Sequence, residues 1–181
     1  MKPILLRGAF FFAVALLQVS LIQILFSEWA IVPPLLLSSV VSWTLFRGFS
    51  PSRVWAIWAG IVIDSLAFSR LGVSSIEFLC AAAIFGFATG RVLFGYGSMK
   101  LLFFGFATWI FALLFSFGKT LLVLPNFSER ISFFVEFFTR SPGVIFASFS
   151  VSSIGFIGVF FITVAFERYV ELFDRVPLGK R

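Results

Sequence analysis

Histidine is absent from this sequence, cysteine occurs once, and only 12% of the residues are charged. Without histidine or a cysteine cluster, imidazole and thiolate metal chemistry has almost no raw material, and a disulfide framework is excluded. The chain also lacks a glycine-rich phosphate loop, a G-x-S-x-G nucleophile elbow and a paired acidic spacing suited to Mg²⁺. These gaps argue against an enzyme and against any cofactor. The lack of repeated intramembrane charges argues equally against an ion channel.

What is present is apolar. Of the 181 residues, 60% are hydrophobic and 29 are phenylalanine, and the mean hydropathy is +1.09. No globular surface of this size carries that profile in water. The composition predicts an all-α integral membrane protein, a single polytopic membrane domain over residues 1–181. Apolar runs cover residues 8–26, 31–46, 54–68, 76–94, 101–124 and 143–166. Each is near the length a helix needs to cross about 30 Å of hydrocarbon, although the second and third are short. Six crossings are therefore expected. The first run follows MKPILLRG as a signal peptide would, but it exceeds a usual signal core and FSEWAIVPP offers no small-x-small cleavage site, so it is read as a mature helix.

The net charge of +6 reads as topology rather than as a nucleic-acid footprint, because the basic residues fall in short breaks between apolar runs. With six crossings, Lys2, Arg7, Arg47, Arg53, Arg91, Lys100, Arg168, Arg175, Lys180 and Arg181 share one side, against Arg70, Arg130 and Arg140 on the other. The bias places both termini in the cytoplasm. SEWA, RGFSPSR and GYGSM read as short connections that force antiparallel neighbours. The longest connection, PNFSERISFFVEFFTRSP, has Asn126 and Glu129 at capping-box spacing, then Phe127, Ile131, Phe134, Val135 and Phe138 on one helical face. It predicts a short amphipathic helix on the outer interface. The C-terminal FERYVELFDRVPLGKR predicts a continuation of the last helix into water, ending near Pro177.

Asp64 stands out within AGIVIDSLAFSRLGVSS. It lies about 15 Å along its run at helical rise, past the membrane midplane. A carboxylate there costs several kcal/mol unless it faces protein or water, and Arg70 and Lys119 are its candidate partners. Two roles stay open: tying or capping helices, or contacting a ligand, a proton or a partner. Ser74, Ser75, Ile76 and Glu77 have the S-x-x-E spacing of a capping box, with Gly72 supplying the turn before it. Ala82, Gly86 and Gly90 recur every four residues, as do Gly143 with Ala147 and Ser148 with Ser152, so backbones approach closely there. Gln18 and Gln23 suit hydrogen bonds across helices; Arg91 and Lys119 suit snorkelling. Trp29, Trp43, Trp55 and Trp58 suit interfacial anchoring.

Residues 31–90 carry a resemblance. VPPLLLSSVVSW with Pro34 and Trp43, the basic turn RGFSPSR, and Gly60-x-x-x-Asp64 followed by Leu71-Gly72-Val73 resemble the bacterial rod shape-determining MreD family. The resemblance implies a non-enzymatic scaffold of the cell-elongation machinery in the bacterial inner membrane, helping to organise peptidoglycan synthesis and rod shape. It implies MreC as a direct partner, beside the MreB filament, an elongation glycosyltransferase of the shape, elongation, division and sporulation class, and a class B penicillin-binding protein. No nucleic acid is implied. The family's fold is similar to the six-helix substrate-binding subunits of energy-coupling-factor vitamin transporters, which gives the alternative: a subunit that binds a small molecule. The candidate structural or partner-binding residues are Asp64, Gly60, Gly72, Arg70, Glu77, Gly86 and Gly90. The phenylalanine-rich second half and residues 127–140 match no family motif.

Overall fold

Where water is scarce, every backbone N–H and C=O must find its partner inside the segment, so apolar runs become helices. The computed structural model describes residues 2–22, 34–67, 71–91, 98–123 and 142–175, together with residues 132, 135 and 139. Among them are six α-helices and no strand. α1 is Lys2–Leu17 and runs on through a π-helical turn, Gln18–Ile22. α2 is Leu35–Arg47, α3 is Phe49–Leu66, α4 is Val73–Arg91, α5 is Ser98–Val123 and α6 is Pro142–Arg175. The all-helical expectation holds for these residues.

α2 is the axis of the bundle. It packs against all five other helices, and each of residues 36–44 is buried. At 13 residues it is about 20 Å long, too short for the hydrocarbon by itself. Surrounded by protein, it has no need to match that thickness. Two of its hydroxyls are accommodated by its own backbone: Ser39 Oγ donates to the Leu35 carbonyl at 3.0 Å and Thr44 Oγ1 to the Val40 carbonyl at 2.8 Å. Aromatic rings wrap it. Phe11 lies 5.8 Å from both Trp43 and Trp55, and Phe10 stacks on Phe166 at 4.5 Å, which binds α1 to α2, α3 and α6.

The basic turn between the second and third runs is shorter than its sequence suggests. Only Gly48 departs from helix, at φ 85°. Pro51 falls within the first turn of α3, where its missing N–H would have had no helical partner. Among the described helices, α3 and α4 form the most extensively packed pair.

α6 runs parallel to α2: a Cβ at Gly155 would lie 3.7 Å from Leu35, and Arg47 pairs with Glu167. Arg7, near the start of α1, pairs with the same glutamate. The beginning of α1, the end of α2 and the far part of α6 therefore meet at one end of the bundle. The last helix continues past residue 166 as expected, α6 running to Arg175, but Glu167 and Val170 are wholly buried. At those two positions the solvated reading of FERYVELF is corrected, while Arg168, Tyr169 and Leu172 are exposed. The reason is the ion pairing described below.

Among the described residues, Pro3–Ser20, Leu101–Gly118 and Phe149–Leu172 are long and apolar enough to cross a membrane, whereas Leu35–Arg47 and Val73–Thr89 are apolar but shorter. Of the expected amphipathic segment, residues 132, 135 and 139 are helical, and Thr139 Oγ1 donates to the Val135 carbonyl at 2.8 Å. Its other residues between 127 and 140 lie outside the described residues, as do Gln23 and Trp29.

Candidate functional site

The G-x-x-x-D stretch acts on the start of α4. At Gly60 a Cβ would sit 2.3 Å from both the Cα and the N of Ser75, so only glycine lets α4 cross α3 this closely. Ser75 Oγ completes the contact by donating to the Ile57 carbonyl at 3.1 Å. One turn beyond Gly60, Asp64 is 1% exposed. Its Oδ2 accepts from the backbone N–H of Gly72 at 2.8 Å and of Ser74 at 3.2 Å. These are amides at the opening turn of α4, which begins with the Ile76 N–H donating to the Gly72 carbonyl at 3.0 Å. They have no partner within their own helix, so the carboxylate caps α4 from the preceding helix and meets the positive end of its dipole. Gly72, at φ 95°, makes the reversal that points both amides at Asp64.

This corrects the capping-box reading of Ser74 to Glu77. α4 already starts at Val73, and the Ser74 amide that the box would hand to Glu77 donates to Asp64. Glu77 is instead a buried carboxyl, 8% exposed, on the wall of a cavity. That cavity has a volume of about 280 Å³ and is lined by Gln18, Pro34, Asp64, Ser74 and Glu77 over an apolar floor of Leu37, Ile63 and Phe78.

Gln18 plays a matching part for α2. Pro34, the residue before that helix, makes no side-chain cap, and Gln18 Oε1 accepts from the Leu36 N–H at 2.7 Å. The glutamine is the first residue of the π-helical turn that closes α1. The N-termini of α2 and α4 thus open on one cavity, each capped by a side chain from another helix. The sequence-predicted Asp64, Gly60, Gly72 and Glu77 are gathered here. Gly86 is elsewhere on α4, where its Cβ would lie 2.8 Å from Phe49 Cβ and 3.3 Å from Thr44 Cγ2, at the junction of α2 and α3. Gly90 is one turn further along α4. Arg70, one of the two partners expected for Asp64, lies outside the described residues, and so does the side chain of Lys119.

A second polar site, missed in the sequence, sits at the opposite end of α2. Glu167 is 0% exposed. Its Oε1 accepts from Arg7 Nη2 and from Arg47 Nη2, each at 2.7 Å, and from Arg47 Nε at 3.0 Å; its Oε2 accepts from Arg7 Nε at 3.3 Å. Arg47 also pairs with Glu171, and the Arg7 guanidinium lies 5.4 Å from the centroid of the buried Trp43 ring. Two arginines and two glutamates make an electrically balanced clamp across α1, α2 and α6. One signal for it was available: Glu167 and Glu171 stand four apart with no basic residue between them except Arg168, which faces away.

Cross-capped helices around a buried polar axis, with apolar side chains covering the outside, define an all-helical membrane protein, and no group of three or more potential metal ligands occurs among the described residues. The chain belongs to the family of the rod shape-determining protein MreD, which it matches over residues 3–164. That membership places it in rod-shape determination, in a family of shape-determining structural components. No curated protein and no solved structure matches it.

Proposed function

We propose that this protein is a non-enzymatic scaffold of the rod complex in the bacterial inner membrane, crossing it six times with both termini in the cytoplasm. It binds MreC directly and works beside the MreB filament, the elongation glycosyltransferase and the class B penicillin-binding protein. The observation that carries this reading is the Asp64 cap. The one carboxylate in the G-x-x-x-D stretch accepts from the backbone amides of Gly72 and Ser74, which ties the start of α4 to α3 and supports a fixed α3–α4 hairpin. A rigid hairpin is what a membrane partner recognises. Under this reading Asp64, Gly60, Gly72, Arg70, Glu77, Gly86 and Gly90 set helix geometry. The test is affinity recovery from the native host in mild detergent, parent against Asp64→Ala, with mass spectrometry of what accompanies each. MreC with the parent and a reduced yield with the variant support the scaffold; ATPase and coupling subunits in its place refute it.

The cavity supports a second reading, a subunit that binds a small polar molecule as vitamin-transporter substrate subunits do. Gln18, Asp64, Ser74 and Glu77 would supply its polar contacts. A vitamin-like ligand that raises the thermal stability of the purified protein supports it, and a flat response across a panel refutes it.

A further inference from the structure

We propose that the outward face of α6 is a docking seam for the membrane-spanning helix of a partner that carries a carboxylate near the clamp end of the bundle. α6 has two unlike faces. Ser152, Phe156, Thr163, Glu167 and Val170 are buried against the bundle. On the opposite side Ile154, Gly158, Phe161, Ala165, Arg168 and Leu172 are all exposed. They follow one another at steps of four and three, the repeat that two packed helices share, over about 27 Å.

The seam differs in shape from the outward faces of α3 and α5. α3 turns Val54, Ile57, Trp58 and Ile61 outward and α5 turns out Leu102, Phe103 and Phe106, bulky side chains that acyl chains solvate well. Along α6 the large Ile154 and Phe161 are separated by notches at Gly158 and Ala165, and a Cβ at Gly158 meets nothing within 4 Å. Notches between knobs admit the side chains of a second helix. Arg168 adds a charge to the same row, beside the clamp but turned away from it. A guanidinium in such a row selects a partner with a carboxylate at that level. A second copy of this chain fails the requirement: inserted with the same topology, it would set Arg168 level with its own image, and like charges repel.

The proposal rests on the scaffold reading, because its test uses MreC as the partner. MreC is co-expressed with the parent, with Gly158→Leu, with Ala165→Leu, with Arg168→Glu, and with Ala83→Leu on the exposed face of α4 as a control. Recovery of MreC is measured, and a photo-reactive phenylalanine analogue is placed at position 161 and, separately, at 106. Since the altered positions are exposed, the variants are expected to stay monodisperse. The expected result is a loss of about tenfold with each α6 variant, no loss with Ala83→Leu, and a cross-link to the MreC membrane helix from position 161 only. Undiminished recovery from the α6 variants with no cross-link from 161 overturns the seam while leaving the scaffold reading intact. No MreC with the parent overturns the scaffold reading and the seam together.

Discussion

The two ends of α2 hold the bundle by different chemistry. At its N-terminal end, side chains meet backbone: Gln18 takes the Leu36 amide and Asp64 takes the amides of Gly72 and Ser74. At its C-terminal end, side chains meet side chains, with Glu167 between Arg7 and Arg47. The caps are largely local, Asp64 reaching residues eight and ten positions away, whereas the clamp joins residues 160 and 120 positions apart. Local caps fix the direction of individual helices; the clamp fixes which helices lie together. An acidic group thus serves two purposes in one apolar molecule, and its partner decides which.

The clamp should be the costlier to break. Glu167→Ala leaves Arg7 and Arg47 without their shared counter-charge next to buried Trp43, and a loss of about 3 kcal/mol is expected, at the low end for buried pairs because both arginines retain some solvent. Thermal unfolding in detergent measures it, and a melting temperature equal to the parent's would show that the clamp contributes nothing. Gly60→Ala comes next. Its Cβ meets the Ser75 backbone rather than a yielding side chain, so about 2 kcal/mol of overpacking is expected, together with loss of rod shape in cells that depend on this protein.

Asp64→Ala strands two amides at the start of α4, at a cost of about 1–3 kcal/mol. Because a single oxygen accepts both bonds, Asp64→Asn should recover most of that loss, as measured by melting temperature and by rod-shape complementation. Gly72→Ala, which forces a Cβ into φ 95°, should cost about 1 kcal/mol. Nothing lies within 4 Å of that Cβ, so the effect is conformational only, and a loss as large as that of Gly60→Ala would contradict the assignment.

How far the sequence revealed these two ends follows from the same contrast. Gly60, Asp64 and Gly72 were legible because their spacing brings them together through one tight reversal. The S-x-x-E stretch misled because its local fit to a capping box gives no sign that Asp64, from the previous helix, takes the Ser74 amide. Glu167 escaped notice since its partners lie at the other end of the chain and near its first quarter, and no periodicity records a pairing of that range. The central position of α2 was not legible, because a helix that is apolar on every side gives one pattern whether lipid or protein surrounds it. Its serines and threonine, all buried, were the sign that protein does. Gln18 was legible as a residue that bonds across helices, but not as the cap of α2, for the π-helical turn that aims it leaves no mark in composition.

The central claim is that Asp64 acts as a hydrogen-bond acceptor that builds the α3–α4 hairpin, not as an ionisable contact for something else. The most direct measurement compares recovery of MreC, from the native host, by the parent, Asp64→Asn and Asp64→Ala. The account predicts near-parental recovery with asparagine, whose carbonyl oxygen can take both amides, and a clear loss with alanine. Asparagine failing as completely as alanine, in a protein that still melts like the parent, would contradict it and make the negative charge itself the working group.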